Sequence, residues 1–248
     1  AESGLRRGPR GMAARSLLAW LRASDRAASR RVRAFAAISR HIAGRIERCY
    51  GRDSQIIYPP VDTGFFTPAN AGNEAGDYYV TASRFVPYKK IDLVVRAFAV
   101  DRSRRLIVIG DGPDAAKVRA AAGGAANITF TGHVGRDVLR EHLRGARAFV
   151  FAAEEDFGIP PIEAQACGTP VIAYGKGGAL ETVVPRGSAG ASGVFFPKQT
   201  VESLQNALKE FESSAPDITS AACRASAERF TAPRFRESLL SWVNKHAR

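Results

Sequence analysis

The chain has 248 residues, 45% of them hydrophobic and 24% charged, the balance of a globular protein with a sizeable core. It contains no apolar run of about eighteen residues that would span a bilayer, and Ser16–Leu21, flanked by arginines, is too short for the core of a secretory signal. The net charge of +12 is unevenly placed: residues 1–52 hold thirteen arginines against Glu2, Asp25 and Glu47, a local +10 that leaves +2 for the rest.

In chain order, that basic segment suits nucleic acid, an anionic membrane or a plain solvated helix, and charge alone does not choose among them. From Ser29 to Tyr50 the apolar residues Val32, Phe35, Ile38, Ile42 and Ile46 recur at three- and four-residue steps, which predicts an amphipathic helix ending at Gly51. A short strand over Gln55–Tyr58 stops at Pro59-Pro60. Residues 59–76, rich in Pro, Gly and Asn, read as a linker between a segment at 1–58 and a domain at 77–248.

Beyond the linker, short β-type runs alternate with helical patterns. Strands are expected at Tyr78–Ala82, Arg105–Ile109, Asn127–Phe130, Ala148–Phe151, Pro170–Ala173 and Gly193–Phe196. Helices are expected to begin near Ile91, Ala115, Arg136, Pro160, Ala179, Val201 and Ile218, with a last one over Pro233–Lys245. Nearly continuous apolar strands alternating with helices predict an α/β fold, a Rossmann-like doubly wound parallel sheet covered on both faces. Such sheets take their ligands in the loops at the carboxyl ends of the strands.

Four segments fall in those loops. In Ser83–Lys90, Arg84 offers a planar fork of donors and Lys89 a compact charge, a pair suited to a diphosphate, although exposed cations near a helix are commonly just solvated. Gly110-Asp111-Gly112-Pro113 permits a sharp turn or close approach to a ligand, and equally a plain strand-to-helix turn. Thr131-Gly132-His133-Val134 places a lone histidine with no partner at metal-ligand spacing. The acidic loop Glu154-Glu155-Asp156-Phe157-Gly158-Ile159 runs into a helix carrying Glu163. Glu155 and Glu163 are placed to accept paired hydrogen bonds from the vicinal hydroxyls of a sugar, while acids beside a helix start are also favoured for purely electrostatic reasons.

Glu155 and Glu163, followed by Ala-Gln-Ala-Cys-Gly-Thr-Pro-Val-Ile-Ala, resemble the signature of retaining glycosyltransferases of the group-1 family with the GT-B fold. The segments at 83–92, 109–113, 130–134 and 177–183 agree with it in order and spacing. The likeness runs from about Ser29 to Phe230, and its variants look similar to bacterial mannosyltransferases of surface-polysaccharide assembly. It implies transfer of a hexose, with mannose from GDP-mannose preferred, to a saccharide or lipid-linked acceptor. By that resemblance Arg84 and Lys89 neutralise the donor diphosphate and Glu163 holds the ribose. Glu155 is the catalytic-site carboxylate near the donor sugar, the backbone at Phe157, Gly158 and Ile159 lies against sugar and phosphate, and Val134 borders the base. No Asp-x-Asp occurs, so neither a metal nor another cofactor is expected.

The resemblance also implies a larger acceptor-binding domain, of which only the end matches here; the first residue, Ala1, fits a fragment or a processed chain. His41 does not match the family's active-site histidine. A donor-binding fragment without transferase activity is therefore a competing reading, and a nucleic-acid-binding protein is a further one that donor binding does not require. A dehydrogenase is disfavoured, because no GxGxxG follows the first strand. The odd number of cysteines (Cys49, Cys167, Cys223), with no CxxC pair, fits reduced thiols in the cytoplasm. Peripheral contact with an anionic membrane surface is a further expectation.

Overall fold

The computed structural model describes residues 9–69, 76–214 and 217–247. The start of the basic segment and residues 70–75 of the expected linker lie outside them. Two bodies of secondary structure are present. The smaller comprises α1 (Pro9–Ser29), β1 (Phe35–Ala37), α2 (Arg40–Tyr50) and β2 (Ser54–Ile56), with β1 and β2 paired in parallel.

The single helix expected over Ser29–Tyr50 is thus replaced by a strand and a shorter helix. Ser39, in extended backbone, caps α2 by accepting from the amide of Ile42. The chain therefore enters α2 from a strand, and β1 is held by partners some twenty residues away that local periodicity cannot reveal.

The larger body is a six-stranded all-parallel sheet: β3 (Tyr78–Ala82), β4 (Arg105–Ile109), β5 (Ile128–Gly132), β6 (Ala148–Phe151), β7 (Val171–Tyr174) and β8 (Gly193–Phe196). Their order is β5-β4-β3-β6-β7-β8. Between them run α3 (Ile91–Val100), α4 (Ala115–Ala120), α5 (Arg136–Arg144), α6 (Ile159–Ala166) and α7 (Ala179–Thr182). After the sheet come α8 (Val201–Ser214), α9 (Ser220–Ala227) and α10 (Ala232–His246).

Every residue of β6 and β7 is buried, because helices cover both faces. Alternate side chains feed the two cores: Ala148, Val150, Ile172 and Tyr174 enter one, and Phe149, Phe151, Val171 and Ala173 the other. Each large side chain so buried contributes about 1.5–3 kcal/mol relative to exposure. Part of the expected linker belongs to this body. Val61 and Phe66 are buried in the second core, and the amide of Val61 donates to the carbonyl of Phe230. Among the described residues no helix is long and apolar enough to cross a membrane.

The strand order places the topological switch point between β3 and β6. There, successive connections leave the sheet in opposite directions and open a crevice beyond the strands' carboxyl ends. Arg84 follows β3, and Glu155 follows β6.

Candidate functional site

A cavity of about 560 Å³ opens at this crevice, lined by Arg84, Asp111, His133, Val134 and Glu163 over an apolar floor that includes Phe149. A second, of about 570 Å³, is lined by Lys89, Glu155, Phe157, Gly158 and Ile159. Pro160 borders both. The expected site residues are therefore brought together in two adjoining chambers, Arg84 with Glu163 and Val134 in one, Lys89 with Glu155 and the Phe157–Ile159 turn in the other.

Arg84 is exposed at the rim and has no carboxylate partner among the described residues. Glu163, one turn into α6, is largely withdrawn from water, and its carboxylate accepts no hydrogen bond among the described residues. Burial pushes its carboxyl above the usual carboxylate range, against the opposing pull of the Arg136 charge. A desolvated acceptor without a donor is costly to the fold and suited to hydroxyls that a ligand brings.

Lys89 is differently placed: its ammonium is paired with the carboxylate of Glu155, and each side chain is only about 15% exposed. Two local features aim it there. Pro87–Lys89 forms a tight 3₁₀ turn, and Lys90 then takes a left-handed conformation with φ of 56°, among the described residues the only non-glycine with positive φ. Such a residue costs about 1–3 kcal/mol, and such strain is commonly found at functional turns.

The Glu155 loop is held by close packing. Phe157 is buried, stacked on Tyr58 at 5.8 Å and edge-on to Phe230 at 5.4 Å. Across the loop, the amide of Gly178 donates to the carbonyl of Glu155 at 2.8 Å. A side-chain carbon at Gly177 or Gly178 would sit 2.4 Å from backbone atoms of Glu155 or Phe157, so this pair must be glycine. Prolines 160 and 161 in the first turn of α6 carry no N–H. The amides just ahead of them, those of Gly158 and Ile159, have no acceptor among the described residues.

The glycines of Gly110-Asp111-Gly112 serve a turn against protein: a carbon added to Gly110 (φ 123°) would fall 1.9 Å from the carbonyl oxygen of Ser83. The same turn sets Asp111 in the cavity wall beside Arg84.

Sequence reasoning missed several residues. His41, unmatched to the family histidine, lies with its Nε2 4.0 Å from Asp156, and Arg45 pairs with Asp156 at 3.0 Å. These border a third hollow of about 440 Å³ with Tyr88 and Lys90. Glu181 accepts hydrogen bonds from the smaller body. Its place after Gly-Gly was visible in the sequence; its partners were not. No cluster of three His, Cys, Asp or Glu residues suited to a metal occurs among the described residues.

The fold sets the class: a Rossmann-like α/β sheet of the GT-B glycosyltransferase type, with a crevice at the switch point. The family described as glycosyl transferases group 1 matches residues 65–230, and the chain belongs to it. The chain is 32% identical over 199 residues to a Mycobacterium tuberculosis protein named GDP-mannose-dependent alpha-(1-6)-phosphatidylinositol monomannoside mannosyltransferase, covering 70% of this chain and 51% of that one. It is 33% identical over 178 residues to a D-inositol 3-phosphate glycosyltransferase of Jonesia denitrificans, covering 60% and 42%. The chain spans about half the length of the curated relatives it matches. Among solved structures, Anabaena HepE in complex with UDP superimposes with a TM-score of 0.75 at 19% identity, over 86% of this chain and 64% of that one.

Proposed function

We propose that this chain binds a nucleotide-sugar donor, GDP-mannose in preference to others. The protein to which it belongs then transfers the hexose, with retention of configuration, to a saccharide or lipid-linked acceptor. The observation that carries this reading is the unpartnered Arg84 and Glu163 on one cavity at the switch point, beside the Lys89–Glu155 pair.

In it, Glu163 accepts hydrogen bonds from the ribose hydroxyls and Val134 borders the base. Arg84, joined by Lys89 once that lysine exchanges Glu155 for phosphate oxygens, stabilises charge on the departing nucleoside diphosphate. Glu155, released from Lys89, accepts from the sugar's hydroxyls, with the Gly158 and Ile159 amides against sugar and phosphate. The bond from the anomeric carbon to the diphosphate oxygen breaks as the acceptor hydroxyl oxygen bonds from the same face, its proton passing to the departing diphosphate oxygen. With two cations at the diphosphate and no Asp-x-Asp in the sequence, this route uses no metal. An acceptor attached to lipid would bring the arginine-rich segment to anionic headgroups on the cytoplasmic side. Names of relatives that use GDP-mannose support the donor, and the UDP complex of HepE supports a nucleotide at the site.

The test is thermal unfolding with GDP-mannose, UDP-glucose and ADP-glucose at equal concentration. A ligand that binds only the folded chain stabilises it by about 2.7 kcal/mol at a hundred times its Kd, a rise in Tm of about 5 °C or more. GDP-mannose is expected to give the largest rise; equal or absent shifts for all three would remove the donor assignment.

A further inference from the structure

The carboxylate of Glu181 gathers three donors from outside its own body. It accepts from the amides of Arg40 at 2.9 Å and His41 at 3.1 Å, the first two of α2, and from the hydroxyl of Tyr58 at 3.0 Å. The next amide, that of Ile42, goes to the side chain of Ser39 at 3.1 Å. A helix leaves its first amides without internal partners, and a negative charge there also meets the positive end of the helix. Half of the cap of α2 is therefore supplied by a residue some 140 positions further along the chain.

This matters because α2 has little else to hold it to the larger body. It has no buried residue and packs on α1, β1 and β2. Its other polar links across, from Arg45 at 3.0 Å and His41 at 4.0 Å, both end on the half-exposed carboxylate of Asp156 and are worth little by themselves. On the other side Glu181 is rigidly mounted: α7 starts from Gly177-Gly178, which presses on the backbone of Glu155 and Phe157 with no room for a side chain. Tyr58, the third donor, stacks on Phe157.

From this geometry we infer that Glu181 is a positioning residue that pins the start of α2 to the loop carrying Glu155, and so sets where His41 and Arg45 stand relative to the sugar-binding chamber. Glu181 touches no ligand in this arrangement; it acts through the Glu155–Phe157 loop. The pin itself is independent of the donor assignment, whereas its effect on sugar binding rests on that reading.

The experiment is residue-resolved amide exchange on the full chain and on its Glu181→Ala and Glu181→Gln variants, with GDP and GDP-mannose titrations beside it. In the wild type, Arg40 and His41 should be protected alongside Ile42. In Glu181→Ala their exchange should rise about tenfold or more, while β6 and β7 exchange as before. Glu181→Gln, which keeps one accepting oxygen, should fall between. Affinity for GDP-mannose should drop about fivefold in Glu181→Ala with that for GDP unchanged, the signature of a misplaced sugar loop as opposed to a damaged nucleotide site. Wild-type Arg40 and His41 exchanging at unstructured rates, or unaltered rates in both folded variants, would overturn the pin. Equal weakening of GDP and GDP-mannose would overturn its role in positioning. A wild type that binds neither ligand would sink the donor reading instead, and leave the exchange data to decide the pin.

Discussion

The two bodies are built on opposite principles. From Val61 onward, alternate side chains of parallel strands fill two cores, and every member of both clusters lies in that part of the chain. The described residues before it contribute no fully buried member, only Tyr58 packed against the second cluster. Its helices expose Met12, Leu17, Trp20 and Leu21, and α2 buries nothing. The first body owes its shape to apolar burial, whereas the second meets it through the Tyr58 ring and a few polar contacts, three of them on Glu181. This difference explains how the Glu163 chamber can keep a desolvated charge without a partner, a cost that only a well-packed body absorbs.

The comparison breaks most visibly under large-to-small substitution. Phe196 is fully buried in the sheet, so Phe196→Ala should cost about 3–5 kcal/mol in chemical denaturation. Trp20, 65% exposed on α1, should change stability by about 0.5 kcal/mol or less when replaced by alanine. A loss at Trp20 approaching that at Phe196 would mean that the small body has a core of its own.

Charge sharpens the contrast with a smaller effect. The carboxyl of Glu163 is held above the ordinary range by burial, so the native chain holds a proton there at pH values where the unfolded chain has released it. Its stabilising contribution is full below the unfolded pKa and is lost as pH rises through the folded value. Glu163→Gln should remove that pH dependence and raise Tm at neutral pH by about 2 °C. Nucleotide binding should at the same time weaken about tenfold or more, since hydrogen bonds to a charged acceptor are lost. Arg45→Ala on the exposed link should move stability by less than about 1 kcal/mol. A Glu163→Gln variant that is less stable at neutral pH, or binds nucleotide as before, would contradict the assignment of that chamber.

The same division governed what could be read beforehand. In the sheet, local pattern and tertiary role coincide: apolar runs bounded by Gly and Pro are strands because they are buried on both faces, and five of the expected helix starts match to the residue. Since ligand loops follow strand ends, the sequence alone places Arg84, Glu155 and Glu163 near one crevice. It does not show their separation into two chambers, because the Lys89–Glu155 pair and the prolines of α6 act through space. In the small body, Val32, Phe35 and Ile38 mimic a helical stripe, yet Phe35–Ala37 pairs with Ser54–Ile56 as a strand. The break before α2 was marked by Ser39 alone. Glu181 showed its motif but not its partners, which are contributed from about 120 to 140 positions away.

The smallest expected effect is chemical. Cys49 lies exposed on α2, whereas Cys167 and Cys223 are buried in the large body and their thiols are pushed up to about 12 by desolvation. At pH 8 such a thiol is ionised to only about one part in ten thousand, and the reagent must also wait for the body to open. Titration of the native chain with an aromatic disulfide should therefore release one equivalent quickly. The other two should follow at a rate set by opening of the sheet, and all three at once in denaturant. Replacing Cys49 with serine should abolish the fast phase and shift stability by no more than about 0.5 kcal/mol. Two or three fast equivalents in the native chain would show the sheet-backed body opening as readily as the arm attached to it, and the contrast between them would fail.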